Sequence, residues 1–79
     1  MMNSLQKYNQ IFIKVFGVKE NELEDLEYQS VEAWDSVGQM ELVAELEDEF
    51  GIMLDTDDML SLSSYKLGKE ILHKYAVEL

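Results

Sequence analysis

Apolar residues recur at intervals of three and four along most of the chain, the spacing of helices with one buried face. Leu5, Tyr8, Phe12 and Val15 form the first stripe, and Ile11 and Phe16 widen it. Asn3 or Ser4 can cap its start, and Gly17 followed by Val18 has the form of a glycine stop. The second stripe is the best defined: Val37, Met40, Val43, Ala44, Leu46 and Phe50. Asp35 or Ser36 offers an oxygen to its first amides, Ser36 and Gln39 have the spacing of a capping box, and Phe50-Gly51-Ile52 closes it. A short helix from Asp55 to Leu62, capped by Asp55 or Thr56, would bury Met59, Leu60 and Leu62. Ser63 or Ser64 then opens a last helix to about Tyr75, with Leu67, Ile71, Leu72 and Tyr75 inward. Lys69 and Lys74 fall in its final turns, where the helix dipole is negative. The expected fold is all-α, a small bundle of three main helices plus one short helix.

Gly17 to Asp35 breaks this pattern. The stretch is polar and acidic, with scattered Leu23, Leu26, Tyr28, Val31 and Trp34, and it is long for a connection in so small a chain. Loops of this length are commonly functional or pinned by their own apolar side chains. Leu23, Leu26 and Trp34 are the expected pins, with a turn of helix near Glu22 to Leu26.

Seventy-nine residues make one domain, residues 1–79, with a thin core that buries only about 60% of the unfolded surface. Repeats and low-complexity tracts are absent, and with no cysteine neither a disulfide nor a thiolate metal site is available. Ile11-Phe12-Ile13 is broken by Lys14, so no signal peptide or membrane span is expected, and the cytoplasm is the default location. Charge changes the picture more. Seventeen acids face six lysines for a net charge of −11, and no lysine or arginine lies between Glu20 and Asp58. Such a field repels nucleic acid and anionic lipid and attracts basic protein surfaces. Charge-assisted solubility is the plainer account of the total, but a one-signed central stretch points to an interaction surface.

Autonomous catalysis is not expected. His73 is the only histidine and reads as a solvated surface residue, so no Ser-His-acid set can form. The four glycines are isolated, which excludes a phosphate loop. Paired carboxylates abound without a walled cleft to raise one pKa. Asp55-Thr56-Asp57-Asp58 begins like a calcium loop, but Met59, Leu60 and Lys66 stand where it needs an oxygen ligand, a glycine and a glutamate. No metal site is expected.

Ser36 remains. A serine at a helix N-terminus is usually a cap, yet this one follows a long loop, precedes Gly38 and heads a helix flanked by Glu41, Glu45, Glu47, Asp48 and Glu49. A phosphodiester there would lie beside unpaired amides at the positive end of the dipole. Gly38 costs the first turn roughly 0.5–1 kcal/mol relative to alanine, which is understandable if something approaches closely.

At these residues the chain resembles the acyl carrier proteins, in which Asp-Ser-Leu or a close variant heads the second helix. The likeness runs through Asp35-Ser36-Val37, Glu41-Leu42-Val43, Leu46 to Ile52, the acidic Asp55 to Asp58, and Ser63-Ser64-Tyr65. It implies that Ser36, flanked by Asp35 and Val37, receives 4′-phosphopantetheine from coenzyme A through a separate phosphopantetheinyl transferase. Cargo would then ride as a thioester on the arm, and the protein would be a non-catalytic carrier, expected to be a monomer. By the same resemblance Glu41, Glu47 and Asp48 would meet basic patches on acyl-using enzymes, with Val37 and Met40 as apolar contacts beside the serine. Solvation for the acids and core burial for Val37 and Met40 are the plainer readings.

Gly38 stands where carriers of the main fatty-acid pathway usually have an acid, Trp34 where they have a small or polar residue, and Glu45 where alanine is common. The resemblance therefore implies a specialised biosynthetic or cell-envelope pathway. Asp-Ser-hydrophobic-Gly is also similar to D-alanyl and other aminoacyl carriers, which are loaded by an adenylating ligase. The reading from another class is an acidic adaptor that binds a basic protein and bears no arm. Gly68, a small residue in a helix interior, raises the expectation that a long acyl chain folds back between the second and last helices.

Overall fold

Every helix opens on a side chain that satisfies one of its first amides. Asn3 accepts from the Gln6 amide at 2.8 Å while the Gln6 side chain accepts from the Asn3 amide at 3.0 Å. Asp35, Asp55 and Ser64 accept from the amides of Gly38, Asp58 and Leu67 at 2.8, 2.8 and 2.9 Å. In the computed structural model, which describes residues 2–79, these caps start α1 (Ser4–Phe16), α2 (Ser36–Phe50), α3 (Thr56–Ser61) and α4 (Tyr65–His73). The all-α bundle of three longer helices and one short one is thus the architecture found. Asp35 rather than Ser36 is the cap of α2, and Ser36 forms no capping box because the Gln39 side chain turns away towards α3. Gly17, in left-handed conformation at φ 66°, and Gly51 end α1 and α2.

The α1 helix contributes Tyr8, Ile11, Phe12 and Phe16 to the core and packs on α2. Trp34, wholly buried, stacks on Phe16 with ring centroids 4.6 Å apart and meets Phe12 edge-on at 5.7 Å. Phe12 in turn meets Tyr65 at 5.4 Å. The buried Tyr8 hydroxyl donates to the Tyr65 carbonyl at 2.6 Å. Burial, and then the neighbouring Tyr65, push its pKa far above the ordinary phenol range, so it stays a donor.

Two expected stripes match the buried faces only in part: Val43 and Leu46 of α2 and Leu62 after α3 are buried as expected, while other members are not. In α2 the buried residues are Gly38, Leu42, Val43 and Leu46, with Phe50 half-buried, whereas Val37, Met40 and Ala44 are exposed. Gly38 belongs to the buried face because the chain's own loop rests on it. In α3 Leu62, just past its end, is buried as expected and Met59 half-buried, but Leu60 is 78% exposed. Asp58 takes the inward position, at 6% exposure. Lys74 Nζ and the Tyr75 hydroxyl each donate to its carboxylate at 2.7 Å, and the Asp55 amide donates to the same hydroxyl at 3.0 Å.

The Lys74 hydrogen bond first, then that of Tyr75, hold the Asp58 pKa below the usual carboxylate value. A depressed folded-state pKa stabilises the fold above the unfolded value of about 3.9 and is lost as pH falls through the folded one. Asp58→Asn should therefore melt below the wild type at pH 7. The gap should narrow below about pH 4, measured by thermal melts across pH.

Candidate functional site

The long connection between α1 and α2 is pinned as its sequence implies, with Leu23, Leu26 and Trp34 buried and Val31 half-buried. The turn of helix expected near Glu22 to Leu26 is instead a 3-10 turn at Glu20–Glu22, where the Glu22 carboxylate accepts from the Lys19 amide at 2.8 Å. Further on, the loop pairs with the entrance to α4. The Tyr28 amide donates to the Ser63 carbonyl at 2.8 Å and the Tyr65 amide to the Leu26 carbonyl at 2.9 Å, around an isolated bridge of Glu27 with Ser64. The segment then returns to α2 through Ala33, whose carbonyl oxygen lies where a Cβ on Gly38 would fall. Phe16 Cε1 would be 3.2 Å from the same Cβ. The close approach that the glycine permits is made by this loop. Gly38→Ala must push backbone against backbone, and should cost about 1–3 kcal/mol, read as a lower urea midpoint.

Ser36 occupies the first helical position, exposed. Asp35 caps the Gly38 amide with its side chain and binds the Gln39 amide through its carbonyl at 2.8 Å. Among the described residues the Ser36 hydroxyl and the amides of Ser36 and Val37 take no intramolecular bond. An exposed hydroxyl and two free donors therefore share the positive end of α2. Beside it opens a groove of about 410 Å³, lined by Tyr28, Ser36, Gln39, Met40, Met59, Leu60, Leu62 and Ser63. Val37, at 67% exposure, and Met40, at 58%, flank the serine on the surface instead of entering the core.

The acids of α2 divide. Glu41 and Asp48 are exposed, while Glu47 is half-buried and accepts from the Leu54 amide at 2.9 Å. Glu45 pairs with Lys14 of α1 at 2.9 Å. His73 is exposed at the end of α4, far along the chain from Ser36. Asp55 and Asp58 are occupied as a cap and as the partner of Lys74. Gly68 leaves no internal room, since a Cβ there would fall on the Tyr8 hydroxyl and stand 2.9 Å from Leu62 Cδ1. Tyr8 of α1 fills the space beside this glycine.

Two contributors to the site have no signal in the sequence. Gln39 reads as the capping-box partner of Ser36, yet its side chain instead binds Trp34, Met59 and Leu62. Tyr28, read as loop, forms a groove wall because backbone pairing with Ser63 brings it there.

A helical bundle that displays a serine on a helix tip, beside free amides and a shallow groove, has the makings of a carrier. A family model described as a phosphopantetheine attachment site matches residues 10–67. The chain belongs to that family, the carrier proteins of the acyl carrier type, whose domains hold covalently bound 4′-phosphopantetheine and are generally not catalytic. No curated protein and no solved structure matches the chain significantly. Among the described residues no helix is long and apolar enough to cross a membrane.

Proposed function

We propose that residues 1–79 form a single carrier domain and that Ser36 bears its arm. The observation that carries this reading is the exposed Ser36 hydroxyl, free of intramolecular bonds, at the first position of α2. Transfer from coenzyme A to Ser36 Oγ would form a phosphodiester as the coenzyme's pyrophosphate bond breaks, with adenosine 3′,5′-bisphosphate as the leaving group and the hydroxyl proton taken by a base of the transferase. The amides of Ser36 and Val37 would face its anionic oxygens. When bound, the group supplies a terminal thiol on which cargo is held as a thioester. The chain's own residues orient and present it: Asp35 fixes the helix start, and Val37 and Met40 offer apolar contact beside it. Glu41 and Asp48, with Glu47 as a half-buried third, would meet basic patches on enzymes that load or use the cargo.

The cargo is proposed to be an acyl or aminoacyl group of a specialised pathway rather than of the main fatty-acid pathway. Trp34 and Gly38 support this, because together they lock the loop against the tip of α2 in a way that an acid at position 38 could not allow. A cytoplasmic setting accords with coenzyme A as donor of the arm. The test is intact mass after incubation with coenzyme A and a broad-specificity phosphopantetheinyl transferase. One added phosphopantetheine, mapped to the peptide containing Ser36, is expected. No gain in folded, unmodified protein would favour the acidic adaptor. Adenylating ligases offered labelled amino or fatty acids then separate the two cargo classes.

A further inference from the structure

Gln39 lies three residues from Ser36, half-buried, and its side-chain amide is heavily used. Oε1 accepts from the Trp34 indole N–H at 2.7 Å. Nε2 gives its two hydrogens to the carbonyls of Met59, at 2.9 Å, and Leu62, at 2.8 Å. One side chain therefore joins the long loop, α2 and the C-terminal end of α3, where helix carbonyls lack partners of their own. The buried Leu62 and the bonds of Asp58 to Lys74 and Tyr75 also hold α3, but on the side towards α2 Leu60 is exposed and Met59 only half-buried. Gln39, Met59 and Leu62 also line the groove beside Ser36.

We propose that Gln39 is a specificity-determining clasp that keeps α3 closed on α2. Cargo then lies in the open groove and is not admitted between the two helices. The inference rests on Ser36 bearing the arm. A long alkyl chain entering there would displace an amide with three hydrogen bonds and leave an indole N–H and two carbonyls unpaired. Short acyl or aminoacyl groups fit the groove, edged by Met40 and Leu60, without that loss.

Gln39→Ala removes the clasp. Gln39→Glu is a second variant of the same shape that keeps an acceptor for Trp34 but has no N–H for the carbonyls. In arm-free protein both should speed amide hydrogen exchange in α3 about tenfold or more. After loading, checked by mass, the wild type should melt at one temperature with acetyl, hexanoyl or dodecanoyl cargo. The variants should instead gain melting temperature as the chain lengthens. Unchanged exchange, a wild type that gains with chain length, or variants that do not, would each overturn the clasp. Because exchange is read without the arm, a failure at that stage is distinct from a failure of Ser36 to load.

Discussion

Ser36→Ala should abolish the mass gain from phosphopantetheinyl transfer and leave the fold untouched. Both halves follow from the position of the hydroxyl. The bond that stabilises the start of α2 comes from Asp35, and Ser36 is exposed without an intramolecular partner, so alanine removes no packing and no cap. The expected change in stability is within about 0.5 kcal/mol, or roughly 2–4 °C in melting temperature. Had Ser36 been the cap, the loss would be nearer 1 kcal/mol. Nothing else can take the arm in its place at the tip of α2, since Val37 and Gly38 carry no hydroxyl. Intact mass and a thermal melt on one sample measure both outcomes. A variant that still loads would place the attachment elsewhere.

The largest loss of stability should come from Trp34→Ala. The indole is wholly buried, stacked on Phe16, edge-on to Phe12, and bonded through its N–H to Gln39. Removing a buried aromatic of this kind costs about 3–5 kcal/mol. A chain of 79 residues has roughly 4–12 kcal/mol in all. The variant should therefore melt ~15–30 °C lower, or be partly unfolded at 37 °C. Trp34→Phe separates the two contributions. It keeps a ring against Phe16 and leaves Gln39 Oε1 without its donor, so it should fall between wild type and alanine. Circular dichroism melts of the three proteins give the order.

Local chemistry in this chain was readable without coordinates. The helix ends were legible to within a residue, at Asn3 or Ser4, Gly17, Asp55 or Thr56, and Ser63 or Ser64, because caps act on amides a few residues away; the structure selects Asn3, Asp55 and Ser64. The inward face of α1 and the pins Leu23, Leu26 and Trp34 were also legible, since large apolar side chains have few alternatives to burial. Ser36 at the tip of α2 followed from the same kind of argument. What stayed hidden depends on contacts remote in sequence. The stripe through Val37 and Met40 has helical spacing, but a glycine carries no hydrophobic signal to show that the buried face passes through position 38. Asp58 looked like one acid among many until Lys74 and Tyr75 came to it from beyond α4. Gln39 has capping-box spacing from Ser36, and nothing local shows that its partners lie in the loop and at the end of α3.

The pairing of the loop with the entrance to α4 also bears on when the protein becomes usable. Leu26 and Tyr28 find their partners in Tyr65 and Ser63, near the opposite end of the chain. Until α4 has docked, the Leu26 carbonyl and the Tyr28 amide lack those partners, and the Phe12 ring that meets Trp34 lacks the cover of Tyr65. Completion of the loop that leads to Ser36 thus needs the last helix in place. An enzyme that recognises that tip by its rigid outline would pass over nascent or misfolded copies and modify only finished ones.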